Sequence, residues 1–417
     1  MSAVDTSMTR ALSQTLLTEI REATRDGLGV TRESYGEGEC KALSIIERHA
    51  QELGLHCEYD RASNLWLSLP EDQRDDPYVV IGSHADSVPQ GGNYDGLAGI
   101  VAGMQILVDL RGRHESVPPL RVLALRGEES AWYGKAYLGS LSLLGRLPAD
   151  TLTRKHRDGT GTVGEAMARC GADVDAIARG EPLVDVSRIA AYLELHIEQG
   201  PVMVAREWPV AAVTGIRGNI RHNLVRCVGE TGHSGAVPRW LRKDALLAVA
   251  ELLSRMDEHW RVLLQMGMDL VMTTGICSTP AQSHAVSVIP GEVSFSFEAR
   301  SQDAETLERF YTLMREECQT IERNRGVRFE FDDRLFTEPA TMDAEWLTKL
   351  EAAAPEGIKL ERIPSGAGHD AAVFANAGVP SAMLFIRNEN GSHNPYEAMD
   401  MEDFFMGVDL LNRALGG

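Results

Sequence analysis

Short apolar runs alternate with helical patterns in the first half of the chain. The runs Tyr78–Ile81 and Leu120–Leu125 predict buried strands, and the segment between them, Gly99–Arg111, predicts a helix. A strand–helix–strand order is typical of an α/β sheet. A third run, Ile189–Leu195, predicts another strand that ends just before His196. Residues 10–60 are predicted to be mostly helical and to lead into a hairpin at the sheet edge, Cys57–Leu69.

The pattern changes after about Ala212. Two segments alternate like strands with one solvent-exposed face, Asn219–Gly229 and Val286–Ala299. Two others predict helices with an apolar stripe, Lys243–Met256 and Ala304–Arg325. The α/β pattern of the first half then returns, with Arg328–Phe331, a predicted helix near Asp343–Ala353, the segment Asp370–Ala377 and a predicted strand at Ser381–Phe385. We therefore predict an α/β fold with a mixed sheet flanked by helices, in two parts (residues 1–212 and 326–417), and a smaller inserted α+β domain (residues 213–325).

Composition narrows the class of protein. A chain of 417 residues is long enough for two domains. Its formal net charge of −20 argues against nucleic acid or an anionic membrane surface as a partner. The polar start of the chain and the lack of an apolar span of about 18 residues favour a cytoplasmic protein. The six cysteines are scattered and predict buried, reduced thiols.

Residues typical of a metal site follow the first predicted strand. His84 can offer a neutral ring nitrogen, and Asp95, in a glycine-rich loop, can offer two oxygens to two cations. Asp86 is placed to hold the other ring nitrogen of His84. This group predicts a cation site at the carboxyl ends of the strands, where open α/β sheets usually carry their sites.

A pair of acids, Glu128-Glu129, follows the second predicted strand. Taken alone, such a pair is usually a solvated acidic turn, but here one carboxylate can bind metal while the other takes a proton from water. His196 and His393 each lie at or beyond a strand end, and a lone histidine there is more often structural. Together with His84, Asp95 and Glu129, however, they complete the nitrogen and oxygen ligands that two cations sharing a carboxylate need. This donor set suits Zn²⁺, Mn²⁺, Co²⁺ or Ni²⁺.

These segments resemble the M20 superfamily of metal-dependent aminoacylases and carboxypeptidases, over nearly the whole chain. The closer resemblance is to its ureidohydrolase branch: N-carbamoyl-L-amino acid hydrolases, β-ureidopropionases and allantoate amidohydrolases. Three motifs carry it: Gly-Gly-x-x-Asp-Gly at Gly91–Gly96, Leu-His-Ile-Glu-Gln-Gly-Pro at Leu195–Pro201, and Ser-Gly-Ala-Gly-His-Asp-Ala at Ser365–Ala371. Peptidase relatives usually carry a carboxylate at the position of His196.

The resemblance implies a role for each ligand. His84 and His196 would hold one metal, of which Zn²⁺ is the first choice, and Glu129 and His393 would hold the other. Asp95 would bridge the two, with Asp86 behind His84, and Glu128 would be the general base and then the acid. His233 would cross a dimer interface to polarise the carbonyl group, with the small domain acting as a lid. A helix-capping or buried His233 is the alternative.

Three further residues match family positions that bind substrate, Gln199, Arg300 and Gly368, and Ser287 occupies a fourth such position. Arg300 could pair with a substrate carboxylate, although an arginine at a strand end is often only a surface residue. Ser287 departs from the family, which usually has asparagine there. The loop at Arg126–Tyr133 and the segment Arg387–Asn390 also depart from it. These differences leave the metal chemistry intact but do not identify the substrate.

The implied activity is metal-dependent hydrolysis of a linear C–N bond in a small molecule by a homodimer. An N-carbamoyl-L-amino acid or related ureido acid would give an amino acid, CO₂ and ammonia. Allantoate is one alternative substrate, and an N-acyl amino acid hydrolase or peptidase using the same metals is another. A non-catalytic binding protein with this fold is the alternative outside enzymes, but such a protein would be expected to have lost ligands or the base.

Overall fold

The chain divides into two compact units in a computed structural model, which describes residues 6–111, 114–355, 357 and 359–416. The first unit comprises Met1–Thr214 and Thr341–Gly417, and the second comprises Gly215–Ala340. Residues 1–5, part of the polar start considered above, lie outside the described range. No helix among the described residues is long and apolar enough to cross a bilayer.

The helices and strands occur in the following order. The helices are α1 (Thr6–Ala23), α2 (Glu37–Glu52), α3 (Leu97–Asp109), α4 (Leu138–Leu143), α5 (Val163–Arg169), α6 (Val174–Ala178), α7 (Val202–Arg206), α8 (Ala245–Gln265), α9 (Ala304–Arg325), α10 (Ala344–Ala353), α11 (Asp370–Asn376) and α12 (Met401–Ala414). The strands are β1 (Arg25–Asp26), β2 (Gly29–Val30), β3 (His56–Tyr59), β4 (Leu65–Ser68), β5 (Tyr78–His84), β6 (Leu120–Leu125), β7 (Ile189–Ile197), β8 (Val210–Ile216), β9 (Gly218–Val228), β10 (Gly232–His233), β11 (Val271–Thr273), β12 (Cys277–Ser278), β13 (Val288–Ile289), β14 (Glu292–Ser301), β15 (Arg328–Phe331), β16 (Leu335–Thr337), β17 (Ala340–Thr341), β18 (Glu361–Ser365), β19 (Ser381–Ile386), β20 (Asn388–Glu389) and β21 (Ala398–Met399).

A mixed sheet forms the centre of the first unit. Its order is β17-β8-β19-β7-β5-β6-β4-β3, with β18 paired to β8. The four middle strands β19, β7, β5 and β6 run parallel, and the flanking strands β8, β4 and β3 pair antiparallel. The predicted α/β class, the buried strands and the edge hairpin are therefore confirmed.

Close packing of α3 on this sheet explains the continuous apolar runs of both elements. Every residue of β5 is buried, as is every residue of α3 from Leu97 to Val108. Parallel strands covered on both faces have no wet side that would require polar residues. At Gly99 the helix lies so close to the sheet that a Cβ would come within 2.3 Å of the carbonyl oxygen of Leu195. This approach fixes the start of α3, and the loop before it, against β7.

The second unit is a separate sheet of order β11-β14-β9-β15, with β12 paired to β14 and β16 paired to β9. Strand β14 alternates half-buried and buried positions along its whole length, as expected for a sheet with one covered face. The helices α8 and α9 cover that face and share its apolar core. Asp244 and Asp303 cap the first turns of these helices by accepting backbone hydrogen bonds.

Two positions differ from the sequence prediction. Arg328–Phe331 forms a strand, but it pairs antiparallel with Val225–Val228 of β9, and Leu335–Thr337 pairs with β9 as well. The second unit therefore runs to Ala340 rather than ending at residue 325. His196 lies inside β7 rather than beyond it, because the pairing of β7 with β19 continues through Ile197.

The cysteines also differ from the expectation of buried thiols. All six are unpaired thiols, which agrees with the prediction. Cys227 and Cys318 are buried, but Cys277 is exposed and the other three are half-buried.

Candidate metal centre

Three neighbouring elements of the first unit bring His84, Asp95 and His196 together. His84 ends β5, His196 lies in the adjacent strand β7, and Asp95 precedes α3. The Nε2 atom of each histidine lies 3.3 Å from Asp95 Oδ1, and the two Nε2 atoms lie 3.5 Å apart. These three residues form one of the groups that could hold a cation.

The Nδ1 nitrogens of the two histidines each lie within hydrogen-bonding distance of a backbone carbonyl oxygen. Nδ1 of His84 lies 3.1 Å from the carbonyl oxygen of Asp86, and Nδ1 of His196 lies 2.9 Å from that of Ile197. A ring that donates from Nδ1 keeps the lone pair of Nε2 available. The lone pair of His84 Nε2 therefore faces the space beside Asp95 Oδ1, as metal ligation requires. His196 Nε2 lies beside the same oxygen but also accepts the Gly96 N–H at 3.1 Å, a bond that a cation would have to displace.

The other oxygen of Asp95 faces a second group. His393 Nε2 lies 3.5 Å from Asp95 Oδ2 and 3.3 Å from Glu129 Oε1. Glu129 follows β6 and is buried, whereas the side chain of His393, in a loop after β19, is 52% exposed. Asp95, Glu129 and His393 form a second candidate group, so one carboxylate joins both groups.

Asp86 does more than support His84. Its Oδ1 lies 3.3 Å from His84 Nδ1 and accepts the backbone N–H of Glu128 at 3.0 Å. Its Oδ2 accepts the N–H of Glu129 at 3.1 Å and the hydroxyl of Ser34 at 2.6 Å. This buried carboxylate therefore ties the loop of the two acids to the strand that carries His84.

The donor set fits a pair of cations. Asp95 Oδ1 and Glu129 Oε1 are buried and lack a hydrogen-bond partner among the described residues, which is costly unless a cation or water satisfies them. Burial raises the pKa of Asp95, but His196 and His84 outweigh it and hold that pKa well below its ordinary value. Burial, with added repulsion from Glu129, holds the pKa of Glu128 well above its ordinary value although His84 opposes it. Divalent cations would relieve this crowding of carboxylates.

Glu128 itself lies at the edge of the first group. It is 8% exposed, and its Oε2 lies 3.9 Å from His84 Nε2. Its backbone is fixed by Asp86 on one side and by Tyr137, whose N–H donates to the Glu128 carbonyl at 3.0 Å, on the other. Its carboxyl group is thus near the candidate ligands without belonging to either group.

A third group, formed by Glu194, His196 and His369, shares a ligand with the first. Both oxygens of Glu194 are already used, since they accept the Ser83 hydroxyl at 2.9 Å and the Ala371 N–H at 3.0 Å. Burial holds the pKa of His369 well below its ordinary value. Its ring packs edge-on against that of His196, with centroids 4.4 Å apart. These residues orient β7 and His196 rather than offering another complete site.

Sequence reasoning missed two residues beside the bridging carboxylate. Glu397 accepts the backbone N–H of Tyr94 at 2.8 Å and of Asp95 at 3.2 Å, and Ser392 bridges it to Asp95 Oδ2. The fully buried Arg32 donates to the Ala85 carbonyl at 2.7 Å. The only sequence signal for Glu397 is that it lies four residues after the candidate ligand His393. No sequence signal marks Arg32.

Two of the predicted substrate-binding residues lie in the first unit. Gln199 Nε2 donates to Asp95 Oδ2 at 2.7 Å, and Gln199 Oε1 is buried with no hydrogen-bond partner among the described residues. Gly368 faces Tyr137 so closely that a Cβ there would lie 1.7 Å from the tyrosine hydroxyl oxygen. Gln199 is therefore beside the candidate ligands, and Gly368 beside the residue that contacts the acid loop.

The other three predicted residues lie in the second unit. His233 is exposed in β10, which pairs with β13, and Ser287 is exposed just before β13. The Ser287 carbonyl accepts the N–H of Ser234 at 2.8 Å, so His233 and Ser287 are near neighbours. β10 and β13 form a separate two-stranded sheet, whereas Arg300 lies in the larger sheet, near the end of β14, and pairs with Glu298 at 3.1 Å.

The chain is similar to known proteins over most of its length. A model of peptidase family M20/M25/M40 matches residues 80–416. The chain is 32% identical to an N-carbamoyl-L-amino acid amidohydrolase of Geobacillus stearothermophilus, covering 92% of each chain. It is also 32% identical to an allantoate amidohydrolase of Bacillus subtilis, covering 94% of this chain and 93% of that one. The crystal structure of an amidase of the hydantoinase/carbamoylase family from Burkholderia multivorans matches with a TM-score of 0.86 at 27% identity, covering 97% of each chain. The resemblance inferred from the motifs is confirmed, and the chain belongs to peptidase family M20/M25/M40.

Proposed function

We propose that this protein is an enzyme that hydrolyses the ureido C–N bond of a small N-carbamoyl-L-amino acid. The observation that carries the proposal is the bridging position of Asp95, whose two oxygens face two separate groups of ligands. Relatives about 30% identical over most of the chain are named as amidohydrolases of N-carbamoyl-L-amino acids or allantoate. The products would be an amino acid, CO₂ and ammonia.

Two divalent cations would occupy the centre. His84 and His196 would hold one, Glu129 and His393 the other, and Asp95 both. Nitrogen and oxygen ligands without a thiolate suit Zn²⁺ first, and also Mn²⁺, Co²⁺ or Ni²⁺. When bound, such cations lower the pKa of water and stabilise negative charge that develops on a carbonyl oxygen.

Glu128 would move the proton. Its carboxyl group lies beside the candidate ligands but belongs to neither group, so it stays available to the attacking water. Glu128 Oε2 would accept a proton from that water and donate it to the leaving nitrogen, which the reaction must protonate. Asp86 would keep Glu128 in place through the hydrogen bond to its backbone N–H.

Gln199 and Gly368 would position the substrate from the first unit. The unpartnered Gln199 Oε1 is an acceptor for an N–H group such as that of a ureido substrate. A glycine at position 368 leaves the Tyr137 hydroxyl in place, since a Cβ would displace it. Both features support a polar pocket wall beside the cations.

His233, Ser287 and Arg300 would contribute from the second unit, which we propose to be the lid and the dimerisation domain. His233 Nδ1 accepts the Gly235 N–H at 3.1 Å, so its exposed Nε2 carries the proton and could donate to a carbonyl oxygen across a homodimer interface. Arg300 could pair with the substrate carboxylate, for which that carboxylate must compete with Glu298. Ser287, next to His233, would adjust which substrate is accepted.

The cellular location that we propose for this protein is the cytoplasm.

Allantoate is the second candidate substrate, because relatives with that name match as closely as those named for N-carbamoyl amino acids. An N-acyl amino acid or a peptide is less favoured. Although the family is named for peptidases, the relatives described above are named for N-carbamoyl-L-amino acids, allantoate or the hydantoinase/carbamoylase family.

The test is ammonia release by the zinc-loaded and manganese-loaded protein. The panel contains N-carbamoyl-L-amino acids, N-carbamoyl-β-alanine, allantoate and N-acetyl-L-amino acids, the last followed by amine release. Turnover of an N-carbamoyl-L-amino acid supports the proposal, and turnover of allantoate alone shifts it to the second candidate. Turnover of acyl compounds alone would overturn the ureido assignment. Glu128→Gln should lower kcat by about 10²–10⁴-fold while both cations stay bound, as metal analysis would show.

The crossing of His233 has its own test. His233→Ala and Glu128→Gln proteins are each inactive on this proposal, but mixed dimers contain one intact site. Random mixing should restore about a quarter of wild-type turnover, because half of the dimers are mixed and each has one intact site of two. No recovery on mixing, in dimers shown by mass to have exchanged subunits, would contradict the crossing.

A further inference from the structure

Two half-buried cysteines from distant parts of the first unit face each other. Cys40 lies in the first turn of α2, and Cys170 directly follows α5. Their Sγ atoms are 3.7 Å apart, close enough for one thiol to hydrogen-bond to the other sulfur. Both are unpaired thiols and both are partly exposed to solvent.

The surroundings of the two sulfurs are unequal. Arg126 Nη2 donates a hydrogen bond to Cys40 Sγ at 3.0 Å. Cys170 Sγ lies 3.3 Å from the Tyr35 carbonyl oxygen, so its single S–H has that oxygen and the Cys40 sulfur as alternative acceptors. A guanidinium beside a sulfur favours its thiolate form. A carbonyl oxygen beside a sulfur instead favours the protonated thiol. The contacts therefore divide the pair into a thiolate at Cys40 and a thiol at Cys170.

The pKa shifts agree with this division. The hydrogen bond from Cys170, aided by Arg126 and opposed by burial, lowers the pKa of Cys40 to about 5. The same hydrogen bond raises the pKa of Cys170 above its ordinary value, and burial adds to the rise. At neutral pH Cys40 is thus the nucleophilic sulfur of the two.

We propose that Cys40 and Cys170 form an oxidative modification site, at which hydrogen peroxide converts the two thiols to an intramolecular disulfide. The Cys40 thiolate attacks one peroxide oxygen, the O–O bond breaks, and hydroxide leaves and is protonated to water. Cys170 then attacks the resulting Cys40 sulfenic sulfur, the S–O bond breaks, and a second water leaves. The two sulfurs together lose two electrons and two protons, and the peroxide is reduced to two waters.

The distance to be covered is short. An S–S bond is about 2.0 Å long, so the two sulfurs must approach by about 1.7 Å from their present separation. Cys170 lies at the end of a short helix, where the backbone can adjust more readily than inside a helix. Arg126 keeps Glu39 as a hydrogen-bond partner when the thiolate is lost, since its Nε donates to Glu39 Oε2 at 2.6 Å.

The remaining cysteines provide the contrast. Burial raises the pKa of Cys57 to about 11 and that of Cys227 and Cys318 to about 12. Cys277 is exposed in the second unit, where it is accessible but faces no sulfur in the contacts described here. Accessibility alone would therefore direct oxidation to Cys277, whereas the proposal directs it to Cys40.

The experiment treats the reduced, zinc-loaded protein with one equivalent of hydrogen peroxide and then alkylates the remaining thiols after denaturation. Peptide mapping should find Cys40 linked to Cys170, with the pair lighter by two hydrogens, and Cys40 consumed at least ~10-fold faster than Cys57 or Cys277. In Cys170→Ser, the sulfenic acid should persist on Cys40 and react with dimedone.

Cys277→Ser is the matched control, because it removes the most exposed thiol and leaves the proposed pair intact. It should form the linked pair as the wild type does. Oxidation that starts at Cys277 or Cys57 while Cys40 and Cys170 are both still alkylated would overturn the proposal. So would a folded Cys170→Ser protein whose Cys40 does not label with dimedone.

Discussion

Removal of the Glu397 carboxylate should loosen the loop that carries the bridging Asp95. In Glu397→Ala, the N–H groups of Tyr94 and Asp95 lose their acceptor, and Ser392 loses a partner. A buried donor left unsatisfied costs about 1–3 kcal/mol, so two such donors correspond to about 2–6 kcal/mol before water enters the space. Because Glu397 is only 8% exposed, we expect water entering the space to satisfy the freed N–H groups only in part, so part of this free-energy cost should remain.

Cation affinity should fall with this loss of order. Substitution of a residue that holds a metal ligand typically weakens binding about 10–100-fold, and Glu397 contacts both the backbone of Asp95 and the serine that donates to its Oδ2. Zn²⁺ competition with a chromophoric chelator measures the affinity. Amide hydrogen exchange in metal-free protein, followed in a peptide covering residues 91–99, reports the loop itself.

Glu389→Ala is the control, because Glu389 is an exposed acid in the neighbouring β20 and changes the net charge equally. It should bind Zn²⁺ as the wild type does. The reasoning is refuted if Glu397→Ala keeps both its Zn²⁺ affinity and its loop protection within about threefold of the wild type.

Three further predictions follow from particular contacts. Gly92→Ala should lower the free energy of unfolding by about 1–3 kcal/mol in urea titrations, because the new Cβ would lie 2.1 Å from Glu397 Cδ; an unchanged midpoint would contradict this. Asp303→Ala should destabilise the second unit by about 0.5–2 kcal/mol at pH 7 through loss of the helix cap. Hydrogen bonds from Thr306 hold the pKa of Asp303 below its ordinary value of 3.8, so the difference from wild type should shrink as pH falls and the carboxylate is protonated. A difference that stays constant as the pH is lowered from 7 to 2 would refute the assignment. Dialysis against a chelator should abolish turnover while circular dichroism stays unchanged, and Zn²⁺ or Mn²⁺ should restore turnover; full activity of cation-free protein would exclude the dimetal proposal.

The sequence predicted the parts of this protein that depend on local pattern. The buried parallel strands are built mainly on apolar runs. The candidate ligand His84 ends β5, and Glu129 lies four residues after β6. Their convergence follows from one rule, that the carboxyl ends of parallel neighbours meet at one edge of a sheet.

The parts that the sequence did not predict depend on contacts between distant segments. Glu397 is separated from Tyr94 by 303 positions, so no local spacing marks the pair. The sequence alone placed Arg328–Phe331 in the second part of the α/β domain, because the pattern of this segment says nothing about which sheet it joins. Pairing with β9 places it in the second unit, because register is set by the partner strand and not by the strand alone.

The position of β19 has a consequence for how the protein is made. This strand lies between β7 and β8, yet it comes from the last part of the chain, after the whole second unit. During synthesis on the ribosome, β7 and β8 therefore have an empty place between them until Ser381–Ile386 emerges, and His393 follows later still. Growing chains must keep two apolar strand edges from pairing wrongly throughout that interval. We expect nascent chains released before residue 381 to aggregate, and the candidate centre to become complete only at the end of translation.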